Sequence, residues 1–289
     1  MPSLFLPDLP VEDRALVMGV LNVTPDSFSD GGRWLDSAAA IAHGRQMISE
    51  GADIIDIGGE STRPGADPVP EPDQLDRVLP VIRELAADGV ALSIDTMSAR
   101  VAQRSVAAGV TVVNDVSGGL ADPEMLRTVA ELGVNYIAMH WRGHSRTMNQ
   151  RAVYTDVVAE VVAELGDRLE AVADAGIDPE RVAIDPGLGF AKDAEHNWAI
   201  LRNLDHLTAL GHPVLVGGSR KRFLGSLLAE HSGNFEETAA EPVPRPASER
   251  DDAGTALAAL AARDGAWCIR SHRVRPTVDA VRVAARWVS

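Results

Sequence analysis

An α/β barrel of eight parallel strands is the fold this sequence predicts, and three observations carry the expectation. Short β-branched runs alternate eight times with helical stretches, leaving nothing over for a second domain. Polar residues recur at the carboxyl ends of those runs, where barrels of this kind build their sites. The chain is 289 residues long, generous for one ordinary domain but normal for a closed (β/α)8 TIM barrel. The competing arrangement is a doubly wound open sheet, but no G-x-G-x-x-G follows the first strand.

Leu16–Leu21 is the first apolar run, and the turn-rich Asn22–Gly32 leads from it to an alanine-rich helix over Ser37–Glu50. Gly51 stops that helix. Asp53–Ile57 is the second strand, followed by the loop GGESTRPGA, Gly58–Ala66, and a helix over Gln74–Ala87. Strand Ala91–Ile94 and helix Ala99–Ala108 make the third unit; strand Thr111–Val113, the loop NDVSGG and helix Pro123–Leu132 make the fourth. Strand Val134–Met139 precedes a long helix over Val153–Ala175, and strand Arg181–Ile184 precedes one around Trp198–Leu210. Strand Pro213–Val216 is followed by a helix opening at Ser219. His231–Glu249 is polar, acidic and proline-rich, the composition of a flexible insertion within a single domain spanning residues 1–289. Helix Asp251–Arg263, strand Ala266–Ser271 and helix Thr277–Val288 close the series.

Composition limits the functions open to such a barrel. A formal charge of −15 argues against binding nucleic acid or an anionic membrane. No apolar run reaches the roughly 20 residues that span a bilayer, and the first residues lack the basic and apolar regions of a signal peptide. The single cysteine, Cys268, excludes an internal disulfide and a thiolate metal cluster. A cytoplasmic protein is expected. Small anions remain possible ligands, because Arg220, Lys221 and Arg222 adjoin and Arg270, His272 and Arg273 cluster.

Two glycine-rich turns carry the strongest signal: DPGLGFAK, Asp185–Lys192, and GGSRKRF, Gly217–Phe223, each placed where a strand hands over to a helix. A carboxylate such as Asp185 accepts two parallel hydrogen bonds from a planar pair of N–H groups. A helix opening at Ser219, Arg220 and Lys221 would favour an anion at its free N–H groups. A planar nitrogen heterocycle at one turn and an anion at the next follow. The same rim holds Asn22, Asp56, Asp95, Asn114, Asp115, His140, Arg270 and His272. For Asp56 and Asp115 a helix-cap or turn role stays open beside a place in the site. Trp141, Arg142 and His144 read as a solvated loop, and His43, His196, His206 and His212 as surface residues.

These motifs, with MGVLNVTPDSFSDGG (Met18–Gly32), SIDT (Ser93–Thr96) and RSHRV (Arg270–Val274), resemble the dihydropteroate synthases, folate-pathway enzymes inhibited by sulfonamides. The resemblance covers nearly the whole chain. It implies a homodimeric barrel that joins 6-hydroxymethyl-7,8-dihydropterin pyrophosphate to p-aminobenzoate with release of pyrophosphate and with Mg²⁺ as cofactor. Read onto this sequence, it implies a pterin site of Asp95, Asn114, Met139, Asp185 and Lys221. Phe28, Thr62, Arg63, Pro64, Phe190, Ser219 and Arg220 would receive the aminobenzoate. Asn22, Thr62, Arg63, Arg270 and His272 would hold the pyrophosphate, Asn22 also binding the metal, and Asp95, Lys221, Arg270 and His272 would be catalytic. Two competing readings share the pterin site: a methyltransferase barrel and a non-catalytic pterin-binding barrel. The SRK and RSH elements count against the first, and the retained Asp95, Arg270 and His272 against the second.

Overall fold

The computed structural model describes residue 6 and residues 13–24, 32–60, 69–144, 148–230 and 243–289. The elements run β1 (Leu16–Asn22), α1 (Gly32–Ser49), β2 (Ile54–Gly58), α2 (Glu71–Ala86), β3 (Ala91–Asp95), α3 (Ala99–Val106), β4 (Val112–Asp115), α4 (Met125–Leu132) and β5 (Asn135–Met139). They continue with α5 (Val157–Asp174), β6 (Val182–Asp185), α6 (Ala194–Arg202), α7 (Leu204–Thr208), β7 (Leu215–Val216), α8 (Arg222–Glu230), α9 (Asp251–Arg263), β8 (Cys268–Ser271) and α10 (Val274–Val288). The strands are parallel in the order β6-β5-β4-β3-β2-β1-β8-β7. The ring closes between β6 and β7, where Ile184 bridges Val214 and its N–H donates to the Pro213 carbonyl at 2.9 Å. The expected TIM barrel is the observed one.

Period-two alternation sorts every strand into an inward and an outward set. Met18, Ile54, Val112, Ile137, Ala183, Leu215 and Cys268 form one buried cluster that fills the barrel interior. The outward set, with Val17, Ile55, Ile57, Val113, Tyr136, Val182 and Ile269, packs against the helices in a second, larger core.

Most departures from the expected elements have local causes. The fifth helix begins at Val157 rather than Val153 because the Asp156 side chain accepts from Val158 N and Ala159 N, a cap that fixes the first turn. The helix around Trp198–Leu210 is two helices, broken at Asn203, whose backbone leaves the helical region while its side chain donates to Ala199 O at 2.8 Å. The last helix starts earlier, at Val274, with Pro276 tolerated in a first turn that needs no intrahelical N–H donors. Helix α8 opens at Arg222, not Ser219. Of the expected insertion, residues 243–249 are described: Ala247–Glu249 form a 3₁₀ turn, and Arg245 N donates to Gly225 O at 3.1 Å.

Candidate active site

One step of two residues beyond the interior apolar layer, the inward positions turn polar. Asp56 follows Ile54, Asn114 follows Val112, Asp185 follows Ala183 and Arg270 follows Cys268 in this way, and Met139 follows Ile137. Strand register then sets Asn22 beside Gly58, Gly58 beside Asp95, Asp95 beside Asn114, and Met139 beside Asp185. The fold delivers these side chains together because each lies on the inward face toward the carboxyl end of its own strand.

Arg270 is the hub. Its Nε donates to Asp56 Oδ2 and its Nη2 to Asp95 Oδ2, both at 2.7 Å. Asn114 Nδ2 donates to the same Asp56 oxygen at 3.1 Å. Asp56 Oδ1 and Asp95 Oδ1 are buried and have no partner among the described residues, so both carboxylates keep an acceptor for a ligand. Burial pushes Asp95 up to about 7; Arg270 and Lys221 pull against it and Asp56 adds to it. Burial also raises Asp185, whose Oδ1 accepts from Gly187 N at 2.7 Å. Lys221 is drawn down to about 8 by burial and by Arg270, with Asp185 and Asp95 opposing. Three carboxylates face two cations across this rim, a setting that favours a ligand carrying positive charge or many N–H donors.

The second turn brings Lys221 over this cluster. Its Nζ lies 4.1 Å from the centre of the Phe190 ring, a cation–π contact. Gly189, at φ +76°, makes room for it: a Cβ there would lie 2.9 Å from Lys221 Cδ. Ser219 Oγ is 3.1 Å from His272 Nδ1 and accepts from His272 N at 3.3 Å, so these two expected site residues meet.

Several expectations need correction. Ser219 and Arg220 lie in a turn ahead of α8 rather than at its first N–H groups, and Arg220 is left-handed at φ +61°. Its guanidinium is bound by Asp251 through two bonds, Nε to Oδ1 at 2.8 Å and Nη2 to Oδ2 at 3.0 Å. Arg250, just past the insertion, donates to the Arg220 carbonyl at 2.8 Å, so the far end of that segment braces this turn. The question left open for two carboxylates resolves in opposite ways. Asp56 belongs to the site, whereas Asp115, on the outward parity, closes its own turn by accepting from Ser117 N, Ser117 Oγ, Gly119 N and Tyr136 Oη. Arg142 is not solvated: it bonds Glu164 and Glu160 and lies over the Tyr154 ring at 3.8 Å. His196 completes a capping box at the start of α6, and His212 bonds Val182 O at 3.1 Å. Phe28, Thr62, Arg63 and Pro64 lie outside the described residues.

An enzyme barrel whose mouth combines a planar amide, a buried acceptor carboxylate and a cation pair is built to read the edge of a nitrogen heterocycle. A family profile described as pterin binding enzyme matches residues 18–272. Dihydropteroate synthase of Mycobacterium leprae (strain TN) is 50% identical over 273 residues, 94% of this chain and 93% of that one. Among solved structures, Xanthomonas albilineans dihydropteroate synthase with 4-aminobenzoic acid superposes with a TM-score of 0.84 at 44% identity, covering 96% of this chain and 94% of that one. The same enzyme in complex with 7,8-dihydropteroate gives 0.81 at 40%, covering 96% and 95%. The chain belongs to the pterin-binding enzymes, and among them to the dihydropteroate synthases.

Proposed function

We propose that the barrel mouth condenses 6-hydroxymethyl-7,8-dihydropterin pyrophosphate with p-aminobenzoate, giving 7,8-dihydropteroate and pyrophosphate. The observation that carries the reading is the Arg270 bridge between Asp56 and Asp95, with Asn114 bonded to the same Asp56 oxygen. The pterin presents a guanidine-like edge of N–H donors, which Asp185 accepts bidentately as a carboxylate accepts arginine. Asn114 supplies an acceptor to the ring, Lys221 donates to its oxygen and nitrogen, and Met139, buried at the end of β5, covers a face.

The bond to pyrophosphate breaks first, the oxygen keeping the electron pair, and a pterin cation remains. Asp95 stands where that cation forms, and the charge developing on its methylene draws the carboxyl toward its ionised form. The amine lone pair of p-aminobenzoate then makes the new C–N bond and its proton passes to solvent. Arg270 and His272, two residues apart at the end of β8, hold the departing anion, with Asn22 and, on the second loop, Thr62 and Arg63. Ser219 and Arg220, with Phe28, Pro64 and Phe190, receive the aminobenzoate.

The donors suit Mg²⁺. A Cβ on Gly58 would lie 3.6 Å from Asn22 Oδ1 and 3.7 Å from Asp95 Cβ, so this amide oxygen, a hard ligand, stands beside Asp95 on the rim. Among the described residues no three His, Cys, Asp or Glu side chains gather to hold a metal. An ion held by one protein oxygen, phosphate oxygens and water is the usual Mg²⁺ arrangement. When bound it would supply positive charge to the leaving pyrophosphate.

The active unit is proposed to be a homodimer, supported by the exposed Leu260 of α9 and the exposed Val283, Trp287 and Val288 of the neighbouring α10. A cytoplasmic setting is proposed, where the buried thiol of Cys268 needs no disulfide partner. No described helix is long and apolar enough to cross a membrane. The test is pyrophosphate release from dihydropterin pyrophosphate with Mg²⁺, with and without p-aminobenzoate. Release coupled to dihydropteroate formation is expected; tight pterin binding without product would overturn the catalytic reading.

A further inference from the structure

Lys192 ends the DPGLGFAK turn and is buried, yet no step of the reaction uses it. Its Nζ lies 2.9 Å from His140 Nδ1 and donates to the carbonyls of Gly187 and Phe190, both at 3.2 Å. On the other side of the imidazole, His140 Nε2 is 3.0 Å from Glu164 Oε2 on α5. Arg142 Nε bonds both Glu164 oxygens at 3.1 Å. A carboxylate only accepts, so His140 carries its proton on Nε2 and turns a bare Nδ1 toward Lys192. Three acceptors then surround Nζ, matching the three N–H groups of an ammonium. The proton inventory closes with Glu164 ionised, His140 neutral and Lys192 charged.

What the ammonium grips is the turn that bears the pterin carboxylate. Gly187 donates its N–H to Asp185 Oδ1 and gives its carbonyl to Lys192. It stands at φ +68°, and a Cβ there would lie 2.4 Å from His140 O, so the turn is wedged against β5 as well. Phe190 gives the second carbonyl, and its ring is the one that faces Lys221 Nζ. Between them and Lys192, Ala191 is held in the left-handed region at φ +48°, a strained conformation that persists only when its surroundings over-determine it. One buried cation therefore ties the residue that orients Asp185 to the residue that stands beneath Lys221.

We infer that Lys192, oriented through His140 by Glu164, is a positioning residue that sets Asp185 and Lys221 in register for the pterin ring. The inference rests on the assignment of Asp185 to the pterin.

The test is calorimetric binding of 6-hydroxymethyl-7,8-dihydropterin pyrophosphate to the full-length chain and to Lys192→Met, Glu164→Gln and Asp185→Ala, with melting temperature, kcat and both KM values measured alongside. Asp185→Ala is expected to lose measurable binding. Lys192→Met keeps the aliphatic stem and removes the donors; its Kd and pterin KM are expected to rise at least about tenfold, the change in kcat staying below about threefold. Glu164→Gln leaves Lys192 in place and loosens its orientation, along with the Arg142 pair, for an expected rise of about threefold. A folded Lys192→Met that melts lower but binds the pterin as the parent does would overturn the proposal. Should Lys192→Met fail to fold, an unchanged pterin Kd in Glu164→Gln would overturn it instead. Pterin binding retained in Asp185→Ala would remove the site assignment itself.

Discussion

Asn114 Nδ2 donates to Asp56 Oδ2, and that bond decides which way the amide faces the mouth of the barrel. A carboxylate can only accept, so the amide nitrogen turns to Asp56 and the amide oxygen is left for the ligand. The same Asp56 oxygen holds Arg270 Nε, so one buried carboxylate orders both an acceptor and a cation on the rim.

Asp56→Asn is therefore expected to injure recognition as well as catalysis. An amide in place of the carboxylate removes a charge from the Arg270 bridge and lets the Asn114 amide turn over. The pterin KM should rise at least about tenfold, about 1.4 kcal/mol in binding. Steady-state kinetics on the variant would settle it: an unchanged pterin KM would show that Asp56 orders nothing the substrate touches.

Much of this site was legible in the sequence because barrel geometry places strand ends together. Asp95, Asn114, Asp185 and Arg270 sit at the rim as expected, each two residues past an interior apolar residue, Asp95 past Ser93 excepted. Strand parity also separates Asp56 from Asp115: Asp56 shares the parity of Ile54, and Asp115 that of the outward Val113. The partners of Arg220 and Arg142 were not legible. Arg220 and Asp251 are 31 residues apart, and Arg142 and Glu164 are 22 apart on a loop and a helix, so only the closed fold brings them within reach. The helix start at Arg222 was missed because a left-handed Arg220 has no residue signature.

Asp95 and Asp185 should divide the labour. Asp185→Ala removes the acceptor of the pterin edge and is expected to abolish detectable pterin binding. Asp95→Asn keeps an acceptor for Arg270 and should leave pterin affinity within a few-fold of the parent, while kcat falls about 100-fold or more through loss of charge at the forming cation. Equal loss of binding in the two variants, measured by calorimetry, would sink that division.

Arg220 should act on aminobenzoate through the shape of its turn. With the guanidinium bound to Asp251 at 2.8 and 3.0 Å, cutting either partner loosens the same anchor. Arg220→Met and Asp251→Asn are both expected to raise the p-aminobenzoate KM by about three- to tenfold, the pterin KM changing less. A direct bond from Arg220 to the substrate carboxylate predicts the opposite for Asp251→Asn, because freeing the arginine would tighten binding. The sign of that one KM change separates the two.

The network behind β5 should make the fold acid-sensitive. Burial, then the Lys192 ammonium, lowers His140 to about 4, so the folded chain keeps the ring neutral. Below the ordinary histidine value of about 6.5 the unfolded chain binds a proton that the folded chain refuses. Stability from this group is thus present above pH 6.5, falls as pH drops toward 4, and changes no further below that. The slope is at most about 1.4 kcal/mol per pH unit inside the window. Glu164 extends the loss. Against the burial that would raise it, hydrogen bonds from His140 and Arg142 hold it at about 2, so its contribution is present above about 4.5 and disappears as pH falls through 2. Urea unfolding of the parent and of His140→Gln at half-unit steps from pH 7.5 to 4 checks the first window. Asp95, raised to about 7, works the other way in both chains, so the reading is their difference. The parent's stability relative to the variant should fall as pH drops through the window, and parallel curves would show that His140 does not carry the acid sensitivity.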